Sequence, residues 1–131
     1  MDMANKQLLL IDDNEDNRTL VQFALKASTD WEVSTASDGV EGISKAELER
    51  PDAILLDVIM PGLDGLTVYE ILKCNLFTCT IPIIFMTAWT QEEILSKLKA
   101  SLAEGVIVKP FDAINLDVQI AKMCDWEVVN G

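Results

Sequence analysis

Short apolar runs alternate with longer amphipathic segments along the chain, and this alternation restricts the fold more than any other feature of the sequence. The five runs occupy residues 8–11, 33–36, 53–56, 81–86 and 106–108. Four of them are continuous and rich in branched side chains, which is typical of strands covered on both faces. The second run alternates more, and it therefore predicts a half-exposed strand at the edge of a sheet.

The segments between and after the runs have the periodicity of helices. We expect helices over residues 15–27, 38–48, 64–73, 91–102 and 112–124. Asp38, with Glu41 three residues later, is a candidate capping pair for the second helix, and Asp112 is a candidate cap for the last. This fivefold βα order predicts an α/β fold of the flavodoxin-like kind, a doubly wound five-stranded parallel sheet in the order 2-1-3-4-5.

Polar residues stand where four of the predicted strands end. Asp12 and Asp13 follow the first strand, Asp57 ends the third, Thr87 ends the fourth and Lys109 ends the fifth. These strands are neighbours in the expected order, and side chains at the carboxyl ends of parallel strands gather at one edge of a sheet. We therefore expect three carboxylates, one hydroxyl and one ammonium in a shared shallow cleft.

Such a set of side chains is suited to phosphoryl transfer. Crowded carboxylates repel one another, and a hard cation such as Mg²⁺ (or Mn²⁺), which prefers oxygen ligands, relieves the repulsion. With the cation bound, a carboxylate can attack phosphorus and form an acyl phosphate. Lys109 would balance the charge of the transferred group, and Thr87 would donate a hydrogen bond to it.

The composition argues against several other functions. The chain has no histidine, which excludes a phosphohistidine carrier, a histidine zinc site and a Ser-His-Asp nucleophile. A formal net charge of −12 disfavours direct binding to nucleic acid. The three cysteines, at positions 74, 79 and 124, fit neither a disulfide framework nor a zinc motif. Without a signal-peptide pattern or an apolar run near the ~20 residues of a membrane span, we expect a soluble, cytoplasmic protein.

Four motifs resemble those of the receiver domains of two-component response regulators, in particular single-domain regulators of the chemotaxis type. They are LIDDN at 10–14, LLDVIMPGLDG at 55–65, MTA at 86–88 and VKPF at 108–111. The resemblance extends over residues 6–123. We expect a receiver domain at residues 5–125, followed by a short C-terminal tail at residues 126–131.

The resemblance implies a role for most residues of the expected cleft. Asp57 is the implied phosphoacceptor. Asp12, Asp13 and Asp57 are the implied metal ligands, assisted by the backbone carbonyl of Ile59. Lys109 is the implied phosphoryl-binding ammonium.

Three further features follow from the same resemblance. Thr87 is the implied switch hydroxyl, which moves toward the phosphoryl group. Ala88 is small, as the family requires beside the incoming phosphate. The peptide bond between Lys109 and Pro110 is expected to be cis.

Two positions depart from the pattern of the family. Many receivers have an aromatic residue three positions before the lysine that turns inward when the threonine moves, and here that position is Val106. We therefore expect backbone shifts in the loop after strand four and in the fourth helix to signal activation instead. Leu102 replaces a common glycine and predicts an altered end of the fourth helix.

Ile59 and Trp89 lie two residues after Asp57 and Thr87, at positions that flank the acyl phosphate in this family. Both side chains are bulky and apolar. One hypothesis is that they hinder in-line water and lengthen the phosphorylated lifetime. The alternative is that Trp89 is an exposed contact for a partner, since Trp is enriched at binding hot spots.

The implied function is that of a stand-alone response regulator that accepts a phosphoryl group from a phosphohistidine. The donor would be a sensor histidine kinase or a histidine phosphotransfer protein. The chain would catalyse its own aspartyl phosphorylation and dephosphorylation without being a turnover enzyme. Output would pass to another protein through the last two helices and strand five, a face that is also a candidate homodimer interface.

Other interpretations stay open at this point. The main alternative is a receiver-fold binding module that acts independently of phosphorylation. A flavodoxin-like cofactor domain is disfavoured because the glycine-rich phosphate cradles are absent. Haloacid-type phosphatase chemistry is disfavoured because Ile59, and not a second aspartate, follows Asp57 by two residues.

Overall fold

The computed structural model describes residues 6–88, 91–101 and 103–126, where five strands alternate with five helices. The strands are β1 (Gln7–Ile11), β2 (Glu32–Ala36), β3 (Ala53–Asp57), β4 (Ile83–Thr87) and β5 (Gly105–Val108). The helices are α1 (Glu15–Ser28), α2 (Gly39–Glu49), α3 (Gly65–Lys73), α4 (Glu92–Ala100) and α5 (Leu116–Met123). Trp89, Leu102 and residues 127–131, which carried three of the predictions, lie outside the described residues.

All neighbouring strands of the sheet are parallel, and their order is β2-β1-β3-β4-β5. This confirms the predicted fold class and strand order. β3 and β4 are buried along their whole length, in agreement with their continuous apolar runs. β2 lies at an edge and is mostly half-buried, as its alternating pattern predicted.

Helices cover both faces of the sheet because successive residues of each strand point to opposite sides. Leu8 and Leu10 of β1 belong to a core cluster that also contains apolar side chains of α1 and α5. Leu9 and Ile11 belong to a second cluster with side chains of α2, α3 and α4. The sheet is therefore doubly wound, and both core layers are built from the apolar runs.

The start of α2 agrees with the predicted capping pair. The Asp38 carboxylate accepts a hydrogen bond from the N–H of Glu41 at 2.8 Å. In return, the Glu41 carboxylate accepts one from the N–H of Ser37 at 2.8 Å. The Ser37 hydroxyl donates to the same carboxylate oxygen at 3.0 Å. Both bonds from Ser37 lower the pKa of Glu41, because they favour its charged form.

The predicted start of the last helix was wrong. α5 begins at Leu116, four residues after Asp112, and Asp112 does not cap it. Its carboxylate instead accepts hydrogen bonds from the N–H of Ile114 at 3.0 Å and from the side-chain amide of Asn115 at 2.7 Å. Aspartate readily binds the N–H two residues later, and here that local bond forms a turn ahead of the helix.

Candidate functional site

Three carboxylates meet at the carboxyl end of the sheet, as the sequence predicted. β1 and β3 are paired with Ile11 opposite Leu56, so the residues that follow these two positions are close neighbours. Asp12 follows β1 directly, and Asp57 is the last residue of β3. One carboxylate oxygen from each of Asp12, Asp13 and Asp57 lies within 4.8 Å of the others.

Asp12 is fully buried, and hydrogen bonds hold it on several sides. Its Oδ1 accepts from the N–H of Asn14 at 2.9 Å, and its Oδ2 from the side-chain amide of Asn17 at 3.4 Å. Its backbone carbonyl accepts from Nη1 of Arg18 at 2.9 Å. Asp13, by contrast, is exposed, so the cluster has one side open to solvent.

Lys109 joins the acidic cluster from the end of β5. Its Nζ lies 3.1 Å from Oδ2 of Asp12 and 3.4 Å from Oδ1 of Asp57. Its backbone N–H donates to the carbonyl of Thr87 at 2.7 Å, which ties the residue to the end of β4. The peptide bond between Lys109 and Pro110 is cis. The ammonium is therefore placed between the two buried carboxylates.

The environment of Asp57 raises the pKa of its carboxyl from 3.8 to about 6. The largest cause is burial, since the residue is only 5% exposed, and the second is the charge of Asp12. The Lys109 ammonium and a backbone hydrogen bond from Ile59 act in the opposite direction. The ammonium of Lys109 therefore stabilises the ionised form of Asp57 less than burial and the charge of Asp12 destabilise it.

The donor set fits a hard divalent cation. All the groups of the cluster are carboxylate oxygens, which Mg²⁺ prefers, and the exposed Asp13 leaves room for the waters that Mg²⁺ usually keeps. A cation would also relieve the repulsion between Asp12 and Asp57 that raises the pKa of Asp57. The residues present are thus compatible with Mg²⁺.

The remaining predicted site residues that the structure describes lie in β4 and β5 or just after β3 and β4. Thr87 is fully buried at the end of β4, and Ala88 beside it is exposed. Ile59 is 38% exposed. Val106 pairs with Phe85 in the sheet and packs, partly buried, against the core on the α2, α3 and α4 side. Trp89 is outside the described residues, so its placement beside the site stays a prediction.

Asn17 and Arg18 of α1 also contact Asp12, and neither was predicted as a site residue from the sequence. Polar residues in the first turns of an amphipathic helix usually form a solvated face, and nothing local marks these two as different. Their contact with Asp12 could have been inferred only from their separation of five and six residues from it, since a side chain one turn into a helix can reach back to the end of the preceding strand.

Gly65, the first residue of α3, lies against the backbone of the phosphoacceptor candidate. Its N–H donates to the carbonyl of Val58 at 2.9 Å. A methyl group at this position would overlap the carbonyl oxygen of Asp57 and lie 2.7 Å from the Cα of Val58. The absence of a side chain at Gly65 is therefore what lets α3 start this close to the end of β3.

The sequence matches the response regulator receiver domain family over residues 8–121. The chain belongs to this family. The matched range contains Asp12, Asp13, Asp57, Thr87 and Lys109, so the acidic cluster and its ammonium lie within the receiver domain.

Curated relatives include longer proteins that contain a similar region. The receiver domain is 39% identical over 117 residues to the alkaline phosphatase synthesis transcriptional regulatory protein PhoP of Bacillus subtilis, covering 88% of this chain and 47% of PhoP. It is 36% identical over 123 residues to the response regulator PleD of Caulobacter vibrioides, covering 94% of this chain and 27% of PleD. The chain thus spans less than half the length of both relatives.

Solved structures agree with this assignment. The chemotaxis protein CheY4 of Vibrio cholerae superposes with a TM-score of 0.83 and 32% identity, over 92% of this chain and 99% of CheY4. The receiver domain of the sensor histidine kinase PA1611 of Pseudomonas aeruginosa, whose structure has a magnesium ion coordinated in the active-site cleft, superposes with a TM-score of 0.82 and 28% identity. That match covers 93% of this chain and 99% of the other. Within the described ranges, no helix of the receiver domain is long and apolar enough to cross a membrane.

Proposed function

We propose that this receiver domain is a phosphorylation-dependent response regulator, with Asp57 as the phosphoacceptor. The observation that carries the proposal is the position of Asp57, which is buried at a strand end beside a second carboxylate, Asp12, and in contact with the ammonium of Lys109. Carboxyl groups whose pKa is raised by burial and by a second carboxylate cluster at functional sites, and Asp57 is such a group.

Asp12, Asp13 and Asp57 would hold Mg²⁺ (or Mn²⁺), with the backbone carbonyl of Ile59 as a further ligand. The close approach of the three carboxylates supports this assignment. So does the similarity to the PA1611 receiver domain, which has magnesium in its cleft. When bound, the cation supplies positive charge that offsets the carboxylates and the oxygens of the transferred phosphoryl group.

In the proposed reaction, a carboxylate oxygen of Asp57 attacks the phosphorus of a phosphohistidine. The new O–P bond forms as the N–P bond breaks, and the leaving imidazole takes up a proton. Lys109 holds the negative charge of the transferred group, and the small Ala88 leaves space beside it. Since this chain has no histidine, the phosphohistidine belongs to a partner, a sensor histidine kinase or a histidine phosphotransfer protein.

Phosphorylation would be read out through the end of β4. The Thr87 hydroxyl donates to the phosphoryl group, and its movement shifts the loop that leads to α4. Because Val106 stands where many receivers have an aromatic switch residue, backbone shifts carry the change. The face formed by α4, β5 and α5 then meets a downstream protein or a second copy of the chain.

Water ends the signal by attacking the phosphorus, which returns the Asp57 carboxylate and free phosphate. The chain thus catalyses its own modification and its reversal and is not a turnover enzyme. Ile59 and Trp89 would limit the access of water to the acyl phosphate, which lengthens the phosphorylated lifetime. The support for this role is the position of Ile59 two residues after Asp57 and the bulk of its apolar side chain, which is 38% exposed.

The test is the intact mass of the protein after incubation with acetyl phosphate, with Mg²⁺ or with EDTA. We expect a gain of one phosphoryl group that requires Mg²⁺ and is lost in Asp57→Asn. Asp30→Asn, at an exposed position outside the cluster, is the matched control and should be modified like the wild type. No gain under any condition would favour the alternative, a binding module that acts independently of phosphorylation.

A further inference from the structure

Arg18 contacts the peptide group that joins two of the acidic residues. It lies in the first turns of α1, and its Nη1 donates to the carbonyl oxygen of Asp12 at 2.9 Å. This oxygen belongs to the peptide group between Asp12 and Asp13. Because a peptide group is planar, a hydrogen bond to its oxygen restricts the orientation of the whole unit between the two residues.

The two carboxylates differ in what else holds them. The Asp12 side chain is bound by the N–H of Asn14, the amide of Asn17 and the ammonium of Lys109. Asp13 is exposed, and within the described ranges no hydrogen bond or ion pair reaches its carboxylate. Its direction is therefore restrained mainly by the backbone. The N–H of Asp12 donates to the carbonyl of Ala36, the N–H of Asn14 donates to the Asp12 carboxylate, and Arg18 binds the peptide group between Asp12 and Asp13.

Among the described residues, the Arg18 side chain makes no hydrogen bond other than the one to the carbonyl oxygen of Asp12. It is half-buried, and in the part of the chain that the structure describes it makes no ion pair with a carboxylate, despite the large excess of acidic residues. A guanidinium usually serves as a partner for anions. Here its observed bond is to a neutral carbonyl oxygen beside the acidic cluster.

We propose that Arg18 is a positioning residue for the metal site. It orients the peptide group between Asp12 and Asp13 so that both carboxylates face one Mg²⁺. This inference rests on the proposed function, since it takes the acidic cluster to be the magnesium site. Groups that orient metal ligands typically change metal affinity about 10–100-fold when they are removed.

The sign of the effect separates positioning from simple electrostatics. A positive charge next to a cation site repels the cation, so on charge alone the loss of Arg18 would strengthen Mg²⁺ binding. If Arg18 acts as a positioning residue, its loss frees the peptide group between Asp12 and Asp13, lets Asp13 turn away from the site and weakens Mg²⁺ binding. The two explanations therefore predict opposite changes in the dissociation constant.

The experiment measures the Mg²⁺ dissociation constant from amide chemical shifts, with no phosphoryl donor present. Arg18→Gln should raise the constant about tenfold. Arg18→Lys, which keeps a donor and the charge, should restore part of the affinity. Lys26→Gln removes the same charge from an exposed position on the same helix and should leave the constant unchanged. An unchanged or lower constant in Arg18→Gln would overturn the proposal.

A double-mutant cycle tests whether Arg18 acts through Asp13. In an Asp13→Asn background, Arg18→Gln should change the Mg²⁺ constant less than twofold, because the ligand that it orients is gone. A full tenfold effect in that background would refute positioning of Asp13. Urea unfolding in EDTA checks that each variant is folded, and Arg18→Lys allows the same comparison if Arg18→Gln is not.

Phosphorylation by acetyl phosphate distinguishes this inference from the proposed function. In Arg18→Gln, more Mg²⁺ should be needed for half-maximal rate, and the maximal rate at saturating Mg²⁺ should be close to that of the wild type. If the wild type binds Mg²⁺ and loses affinity in Arg18→Gln but is never phosphorylated, the proposed function fails and the role of Arg18 stands.

Discussion

At Asp57, burial and the charge of Asp12 oppose ionisation, whereas Lys109 and the N–H of Ile59 favour it. Burial and the charge of Asp12 have the larger effect, so in the folded protein the pKa of Asp57 is raised from 3.8 to about 6. Without metal, the folded state therefore binds a proton more tightly than the unfolded state does. The stability that this proton contributes is fully present below about pH 4 and is lost as the pH rises through about 6.

This linkage predicts that Asp57→Asn stabilises the metal-free protein at neutral pH. Above pH 6 the variant avoids the cost of a buried charge, and its free energy of unfolding should exceed that of the wild type by about 2–3 kcal/mol. The difference should shrink as the pH falls toward 4 and vanish only below the unfolded pKa of 3.8, where Asp57 is protonated in both states. Urea unfolding in EDTA between pH 4 and pH 8 measures it.

The matched control for this experiment is Asp30→Asn, which removes a carboxylate from an exposed position. It should change the unfolding free energy little, and equally at each pH. If the gain in Asp57→Asn were the same at pH 4 as at pH 8, a cause other than the ionisation of Asp57 would be required.

At the level of secondary-structure elements, the contact between β3 and α3 leaves less room for an added side chain than the surroundings of any other described glycine. α3 begins with Gly65, whose backbone lies directly against Asp57 and Val58, and Asp64 before it caps the helix through the N–H of Thr67. Alanine has a higher helix propensity than glycine by about 1 kcal/mol, so propensity alone favours Gly65→Ala. The geometry opposes it, because the added methyl group meets backbone atoms and not a flexible side chain.

We expect the steric effect to win. Gly65→Ala should lower the free energy of unfolding by about 1–3 kcal/mol, as overpacking in a core does. It should also slow acetyl phosphate labelling of Asp57, because the end of β3 must move away from α3. Thr67→Ala, at an exposed position in the same helical turn, is the control and should do neither. A more stable Gly65→Ala would show that propensity dominates at this position.

For the molecule as a whole, the acidic cluster connects local chemistry to global stability. Asp12, Asp57 and Lys109 come from the ends of three different strands, and they are adjacent only when the sheet is complete. A ligand that binds this arrangement binds the folded state and not the unfolded chain, and it stabilises the fold by mass action. The net charge of −12 adds a general preference for cations, which has to be separated from specific binding.

We therefore expect Mg²⁺ to stabilise the wild type by about 1.4 kcal/mol at ten times its dissociation constant. The stabilisation should diminish as the pH falls through about 6, because protonated Asp57 is a poor ligand for the cation. Thermal unfolding in Mg²⁺, compared with NaCl of equal ionic strength, measures the effect. Asp13→Asn should reduce it and Asp30→Asn should not. Equal stabilisation by both salts would indicate screening alone.

The sequence by itself determined the order of strands and helices and which residues stand at the strand ends. These properties depend on local pattern: apolar runs specify buried strands, periodicity specifies helices, and short capping pairs such as Asp38 with Glu41 act within one turn. The general rules for parallel sheets then sufficed to place Asp12, Asp57 and Lys109 in one cleft.

Only the tertiary structure decided how these groups are held and charged. The Lys109 ammonium meets Asp12 across 97 positions of sequence, and the raised pKa of Asp57 depends on its burial together with Asp12 and Lys109, which only the complete sheet brings next to it. The bond from Arg18 and the fit of Gly65 against β3 are likewise contacts between packed elements. Distances and burial depend on how elements pack together, and the sequence pattern within each element specifies only its type and its buried face.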